Sequence, residues 1–179
     1  IEETIRSFGR IDGLVNNAGI LRQVNFETGD EEDLDEMWAV NVKAPFRLTR
    51  LAMPALKQCG NGRIVNIAST DGLRFRDNSA SVGYTMSKHA LVAMTHAARQ
   101  FGYADGVRAT AICPGAVDTE MIAGLAGATP SAGRADLTYE VISLSSVRNT
   151  SASPRALGSN TILSMLLMVV FLSLIHISE

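Results

Sequence analysis

The chain has 179 residues, enough for one domain with a real core and too few for two ordinary ones. Its charge is nearly balanced, with 16 Lys and Arg against 18 Asp and Glu and no basic cluster, which argues against a nucleic-acid partner. The two cysteines, Cys59 and Cys113, are far apart and in no metal-ligand spacing, as suits a reducing, cytoplasmic setting better than a disulfide scaffold.

In chain order, the first segment, "IEETIRSFGRIDGLV", lacks an initiator methionine, a basic leader and a cleavage site, so it reads as a cut rather than a targeting sequence. Three short apolar runs then have strand length: "GLVNNA" from Gly13, "RIVNIAS" from Arg63 and "VRATAIC" from Val107. Between the first two lies a helical stretch opened by "TGDEEDLDEMWAV", whose acidic residues favour the positive end of the helix dipole. Between the second and third, from about Val82 to Phe101, small or apolar residues recur at Gly83, Ser87, Ala90, Met94, Ala97 and Phe101, the spacing of one packed helix face. The alternation of strand and helix implies an α/β fold with parallel strands and right-handed crossovers.

Each strand run finishes in small, polar or turn-forming residues: Asn16-Asn17-Ala18-Gly19, Ser69-Thr70-Asp71-Gly72 and Cys113-Pro114-Gly115. In open parallel sheets the ligand crevice lies beyond the carboxyl ends of the strands, so these ends are expected to share one site. Each is also readable as a plain turn.

"YTMSKHALVAM" places Tyr84 and Lys88 four residues apart, on one face of a helix. A neighbouring ammonium stabilises a phenolate and is expected to pull the phenol below its ordinary value of about 10. Such a phenol can give a proton to a carbonyl oxygen as hydride arrives at carbon, or remove it in the reverse direction. By itself the pair is also readable as two ordinary surface residues. His89, His96 and His176 have no spacing for a metal site, and none is expected.

In order, "LVNNAG", "NV" in the following helix, "IVNIAS", "YTMSK" and "CPGAVDTEM" resemble the motifs of the short-chain dehydrogenase/reductase family over roughly residues 1 to 122. The resemblance implies a partial Rossmann-like, doubly wound parallel sheet of three αβα layers, lacking the first βαβ units. It implies NAD or NADP as cofactor and reversible hydride transfer between a carbonyl and an alcohol, both small molecules. The family's catalytic positions fall on Asn41, Ser69, Tyr84 and Lys88. Ser69 would hold the substrate oxygen beside the phenol, and Lys88 would also hydrogen-bond the nicotinamide ribose. In "NVKAP", Pro45 has no N–H for the carbonyl of Asn41, which could then accept from a water in a proton relay from the lysine; Pro45 could equally do no more than kink the helix. Asn16, Ala18 and Gly19 match the segment that lines the adenosine side and steadies the central strands. Pro114, Gly115, Val117 and Thr119 match the loop that meets the carboxamide. The helices around residues 31 to 57 and 82 to 101 resemble those that build dimers and tetramers, so a homo-oligomer is expected.

The sequence departs from the family in three places. The glycine turn "TGxxxGxG" that cradles pyrophosphate at a helix N-terminus is absent, so the first strand is expected to have an unpaired edge. Dinucleotide binding weaker than micromolar follows, and calorimetric titration checks it. Ser69 and Tyr84 are 15 residues apart, a slightly long spacing for the family. The oxidoreductase domain is expected to span residues 1 to 136, and residues 137 to 179 form an atypical tail with a Ser-rich stretch. Residues 162 to 177 hold 13 apolar residues of 16, short of the roughly 20 needed for a membrane span. The abrupt break favours a shifted frame or joined sequence; a buried or interfacial helix and a short anchor are the other readings. Asn149-Thr150-Ser151 fits a glycosylation acceptor only formally. The alternative to an enzyme is an inactive fragment or pseudoenzyme that keeps the core without the dinucleotide turn.

Overall fold

A computed structural model describes residues 1–75 and 81–115 and the backbone of 139–142, all in the compact unit Ile1–Ser143. A short helix α1 (Glu2–Phe8) precedes strand β1 (Gly13–Asn16). Helix α2 (Glu31–Trp38) starts where the acidic run predicts. The Asp30 side chain caps it by accepting the Asp33 N–H at 2.8 Å, and Glu31, Glu32 and Asp33 occupy the positive first turn.

Residues 31 to 58 do not form one continuous helix. A π-helical segment, Ala39–Lys43, separates α2 from α3 (Ala44–Gln58), with the Ala44 N–H reaching back five residues to the Ala39 carbonyl. Pro45, which has no N–H to offer, sits at the start of α3 just after the wide turn, and such single-turn π segments recur at functional sites. Pro54 lies inside α3 without ending it.

Strand β2 (Arg63–Ile67) leads through a 3-10 turn, Thr70–Gly72, to helix α4 (Val82–Gly102). A second 3-10 turn, Tyr103–Asp105, precedes strand β3 (Arg108–Pro114). β1 pairs parallel with β2 and β2 with β3, in a register that aligns Asn16 with Asn66 and Ile67 with Ile112. A fourth strand, β4 (Tyr139–Ile142), runs antiparallel to β3 with Pro114 opposite Tyr139. Nothing in the apolar periodicity signals β4, which falls beyond residue 136. The sheet order is β1-β2-β3-β4, and among the described residues β1 has no neighbour on its outer side.

The order β1-β2-β3 runs without reversal, so right-handed crossovers deliver α3 and α4 to the same face of the sheet. Ala52 and Leu56 of α3 and Ala98 of α4 meet Ile64, Val107 and Ala109 there in one core. Among the described residues these packed helices form a single layer; the sheet and crossovers are those of a Rossmann-like α/β fold.

The packed face of α4 differs from the sequence expectation. Along its length the buried stripe is Tyr84, Lys88, Leu91, Thr95, Ala98 and Gly102, one position after the expected set. Gly83 and Ser87 are buried as well, but Ala97 is exposed and Phe101 is 77% exposed. The first half of α4 is enclosed by α2, the π segment and the sheet together, so two adjacent stripes are buried there. Further on, among the described residues, Ala98 packs with α3 and the sheet, and one stripe is buried.

Candidate active site

The placement of Tyr84 begins with Ser81. Its extended backbone precedes α4, and its hydroxyl accepts the Tyr84 N–H at 3.2 Å, capping the helix. The same oxygen accepts the Val24 N–H at 3.2 Å and donates to the Val24 carbonyl at 3.0 Å. The Gly83 N–H donates to that carbonyl too, at 3.1 Å. The start of α4 is thus tied to the segment after β1, and Tyr84 and Lys88 follow one turn apart on the buried side.

Lys88 is 3% exposed, and its ammonium donates to the Ile67 carbonyl at the end of β2, 3.0 Å away. A side chain at Gly19, beyond β1, would place its Cβ 3.1 Å from this Nζ and 3.4 Å from Asn41 Oδ1, close enough that the amine would have to shift. Cys113, at the end of β3, is near enough to act on the lysine charge. The three strand ends therefore converge on one amine. Ser69, just past β2, caps the Thr70–Gly72 turn by accepting the Asp71 N–H at 3.1 Å, and its hydroxyl lies near enough to the Tyr84 phenol to act on it. Ser69, Tyr84 and Lys88 are brought together as the motif order leads one to expect.

The electrostatics reverse one expectation. Burial pushes the Tyr84 phenol up to about 12; the nearby Ser69 hydroxyl pulls it down by less, and the Asp71 charge adds to the rise. The ammonium does not override burial, because it lies 5.5 Å from the centre of the Tyr84 ring and is bonded to the Ile67 carbonyl instead. The same burial pushes Lys88 down to about 8, with Cys113 opposing.

Asn41 is fully buried in the π segment. Its Oδ1 accepts the Ile20 N–H at 2.8 Å, while Nδ2 donates to the Ile20 carbonyl at 2.8 Å and to Ser87 Oγ at 3.0 Å. Ser87 Oγ in turn donates to the Tyr84 carbonyl at 2.7 Å. The side chain thus joins the segment after β1 to the turn of α4 that carries Tyr84 and Lys88. Asn41→Ala is expected to lose on the order of 1–3 kcal/mol, because it leaves part-buried Ile20 backbone groups without their partner; urea unfolding measures it.

A second buried chain lies beneath the site. Asn16 Nδ2 donates to Asn66 Oδ1 at 2.7 Å and, more weakly, to Thr49 of α3 at 3.4 Å. Asn66 Nδ2 donates to Thr95 Oγ1 at 2.7 Å, and Thr95 donates to the Leu91 carbonyl at 2.8 Å. This ladder fixes β1, β2 and α4 against each other. Asn66, Thr95, Ser81 and Ser87 are residues that motif reading passed over. Asn66 carried a signal, as a polar residue in an apolar strand, and Ser81 carried another, as a capping residue three positions before Tyr84. Ala18 follows the ladder at the end of β1. Pro114 closes β3 and Gly115 follows it, both partly buried; Val117 and Thr119 lie outside the described residues.

Residues 1–128 match the family described as short chain dehydrogenase. The chain is 45% identical over 124 residues to an agropine synthesis reductase of Rhizobium rhizogenes, covering 69% of this chain and 28% of that protein. It is 40% identical over 126 residues to a D-beta-hydroxybutyrate dehydrogenase of Cupriavidus necator, covering 68% and 48%. Among solved structures, a gluconate 5-dehydrogenase from Burkholderia cenocepacia J2315 in complex with NADP and tartrate superposes with a TM-score of 0.63 at 28% identity, covering 67% of this chain and 46% of that one. An NAD+-bound xylitol dehydrogenase gives 0.59 at 30% identity, covering 64% and 44%. The chain thus spans half or less of the length of these proteins.

Proposed function

Because the chain belongs to the short-chain dehydrogenase family, we propose that its strand-end site serves reversible hydride transfer between NAD or NADP and a small carbonyl or alcohol, with Tyr84 as general acid and base. The single observation that carries this reading is the gathering of the Tyr84 phenol, the Ser69 turn and the buried Lys88 amine, whose Nζ lies 5.5 Å from the centre of the Tyr84 ring and 3.0 Å from the Ile67 carbonyl, at the ends of three strands. The residues fit the nicotinamide end of a dinucleotide. Gly19 leaves the space beside the amine open, and an ammonium is the donor that ribose hydroxyls accept from. Lys88, Asn16, Ala18, Gly19, Pro114 and Gly115 would hold the cofactor, with Val117 and Thr119 in the loop that follows. When bound, NAD or NADP supplies or accepts the hydride.

The remaining steps belong to this chain. Tyr84 keeps its proton at neutral pH, which suits donation to a carbonyl oxygen as it gains charge. Ser69 donates to the same oxygen and fixes it beside the phenol. Lys88, at about 8, exchanges protons near neutral pH and is suited to renew the phenolic proton. Asn41 acts here through its side chain, by holding the segment that bears Gly19.

Exposed apolar residues on α3 and α4, Leu51 and Phe101 among them, support assembly of the intact protein into a dimer or tetramer. The reading is tested by following nicotinamide absorbance with NADH or NADPH in the millimolar range over a panel of aldehydes and ketones. Turnover is expected, and Ser69→Ala should lower kcat by roughly 10- to 100-fold by loosening the substrate oxygen. Absence of turnover across the panel would favour the inactive-fragment alternative.

A further inference from the structure

We propose that Gly72 is a positioning residue for the reaction, the spacer that lets the turn bearing Ser69 rest directly on the backbone of α4 at Lys88; this rests on the dehydrogenase reading above. A Cβ built on Gly72 would lie 2.8 Å from the Lys88 carbonyl oxygen, 3.0 Å from its carbonyl carbon and 3.2 Å from its Cβ. Backbone cannot yield as a flexible side chain can, so any larger residue must lift the turn away from the helix. The demand is for close approach and not for an unusual dihedral, since Gly72 is not among the positive-φ glycines.

The consequence reaches Ser69 because the turn is stiff. The Gly72 N–H donates to the Ser69 carbonyl at 2.9 Å, the Leu73 N–H to the Thr70 carbonyl at 3.2 Å, and the Asp71 N–H to Ser69 Oγ at 3.1 Å. Two residues before Ser69, the Ile67 carbonyl accepts from the Lys88 ammonium at 3.0 Å. The segment from Ile67 to Gly72 is therefore pinned to Lys88 at both ends, once through the amine and once through the backbone, with Ser69 held between. Moving the Gly72 end rotates the Ser69 hydroxyl relative to Tyr84, on the adjacent turn of the same helix.

Gly62 supplies a control. It lies before β2, at the opposite end from Ser69, and a Cβ there would meet the Leu56 carbonyl oxygen at 2.6 Å, an equally severe clash far from the site. The experiment compares wild type, Gly72→Ala and Gly62→Ala by thermal unfolding, by turnover, and by the 13Cζ resonance of Tyr84 in 13C-tyrosine-labelled protein, assigned with Tyr84→Phe.

Gly72→Ala is expected to shift the Tyr84 resonance and lower kcat by roughly 10- to 100-fold with the cofactor KM within about two-fold, as for a displaced catalytic group. Gly62→Ala should lose stability while its Tyr84 resonance stays at the wild-type position. An unshifted Tyr84 resonance in Gly72→Ala, with only stability lost, would overturn the proposal. A wild type without turnover would count against the dehydrogenase reading alone, because the resonance still reports the Ser69 to Tyr84 geometry. A measurement on wild type stands apart from whether the variant folds: strong nuclear Overhauser contacts are expected between the Gly72 α-protons and the Lys88 backbone turn, and their absence would equally overturn it.

Discussion

Tyr84→Phe is expected to lower kcat by roughly 100- to 10,000-fold while leaving the fold intact, the range for removing a positioned general acid and base. Tyr84 is 9% exposed, and phenylalanine keeps its packing, so the thermodynamic cost is confined to the loss of one hydroxyl near Ser69, about 1 kcal/mol. The separation between a large kinetic loss and a small stability loss distinguishes a proton donor from a buried structural tyrosine. Steady-state turnover beside thermal unfolding checks it; a variant that turns over at the wild-type rate would remove Tyr84 from the mechanism. Because burial pushes the phenol up to about 12, the donor stays protonated through neutral pH, and carbonyl reduction should show no loss from Tyr84 ionisation there.

The second large effect is a stability that rises with pH because of Lys88. Its amine is at about 8 in the fold and at the ordinary 10.5 when unfolded, so between those values the unfolded chain binds a proton that the native chain does not. Stability therefore increases as pH rises through this window, by about 3 kcal/mol in all if the full shift is expressed. Tyr84 acts in the opposite sense at higher pH. Its phenol rises from 10.0 to about 12 on folding, so the native chain keeps a proton that the unfolded one sheds, and stability falls from about 10 upward. The net gain belongs to the interval from about 8 to 10. Urea unfolding across that interval should show the rise in wild type and a flat response in Lys88→Met, whatever the offset between them. Parallel curves would mean that the amine is not desolvated in the folded chain. The same desolvation keeps a fraction of the lysine neutral near physiological pH, so a stability cost accompanies the proton exchange asked of it.

Much of this was legible without coordinates. The strands at Gly13, Arg63 and Val107 announce themselves as apolar runs closed by turn residues, and the acidic stretch before Leu34 marks a helix start. The pairing of Tyr84 with Lys88, and the presence of Ser69 at a strand tip, follow from spacing and motif order. The packed face of α4 was less legible: the Gly83-to-Phe101 stripe and the Tyr84-to-Gly102 stripe share the same spacing, and both are buried in the first half of the helix. Phe101 reads as core by composition and lies in solvent, because what covers a helix face is decided by other elements. The ladder from Asn16 to Thr95 was hidden for a related reason, since its members lie up to 50 residues apart and meet only when the strands pair.

The sequence by itself determined the order of strands and helices, the parallel sheet they imply and which side chains share a helical turn, since these follow from local spacing, while the family follows from the resemblance of its ordered motifs. Only the tertiary structure decided that the Lys88 amine rests on the Ile67 carbonyl, that Gly72 packs against the Lys88 backbone and Gly19 against its amine, and that the phenol rises where adjacency to an amine suggested a fall. Desolvation and close approach are set by atoms distant along the chain, and in this site they outweigh the proximity of two residues four apart.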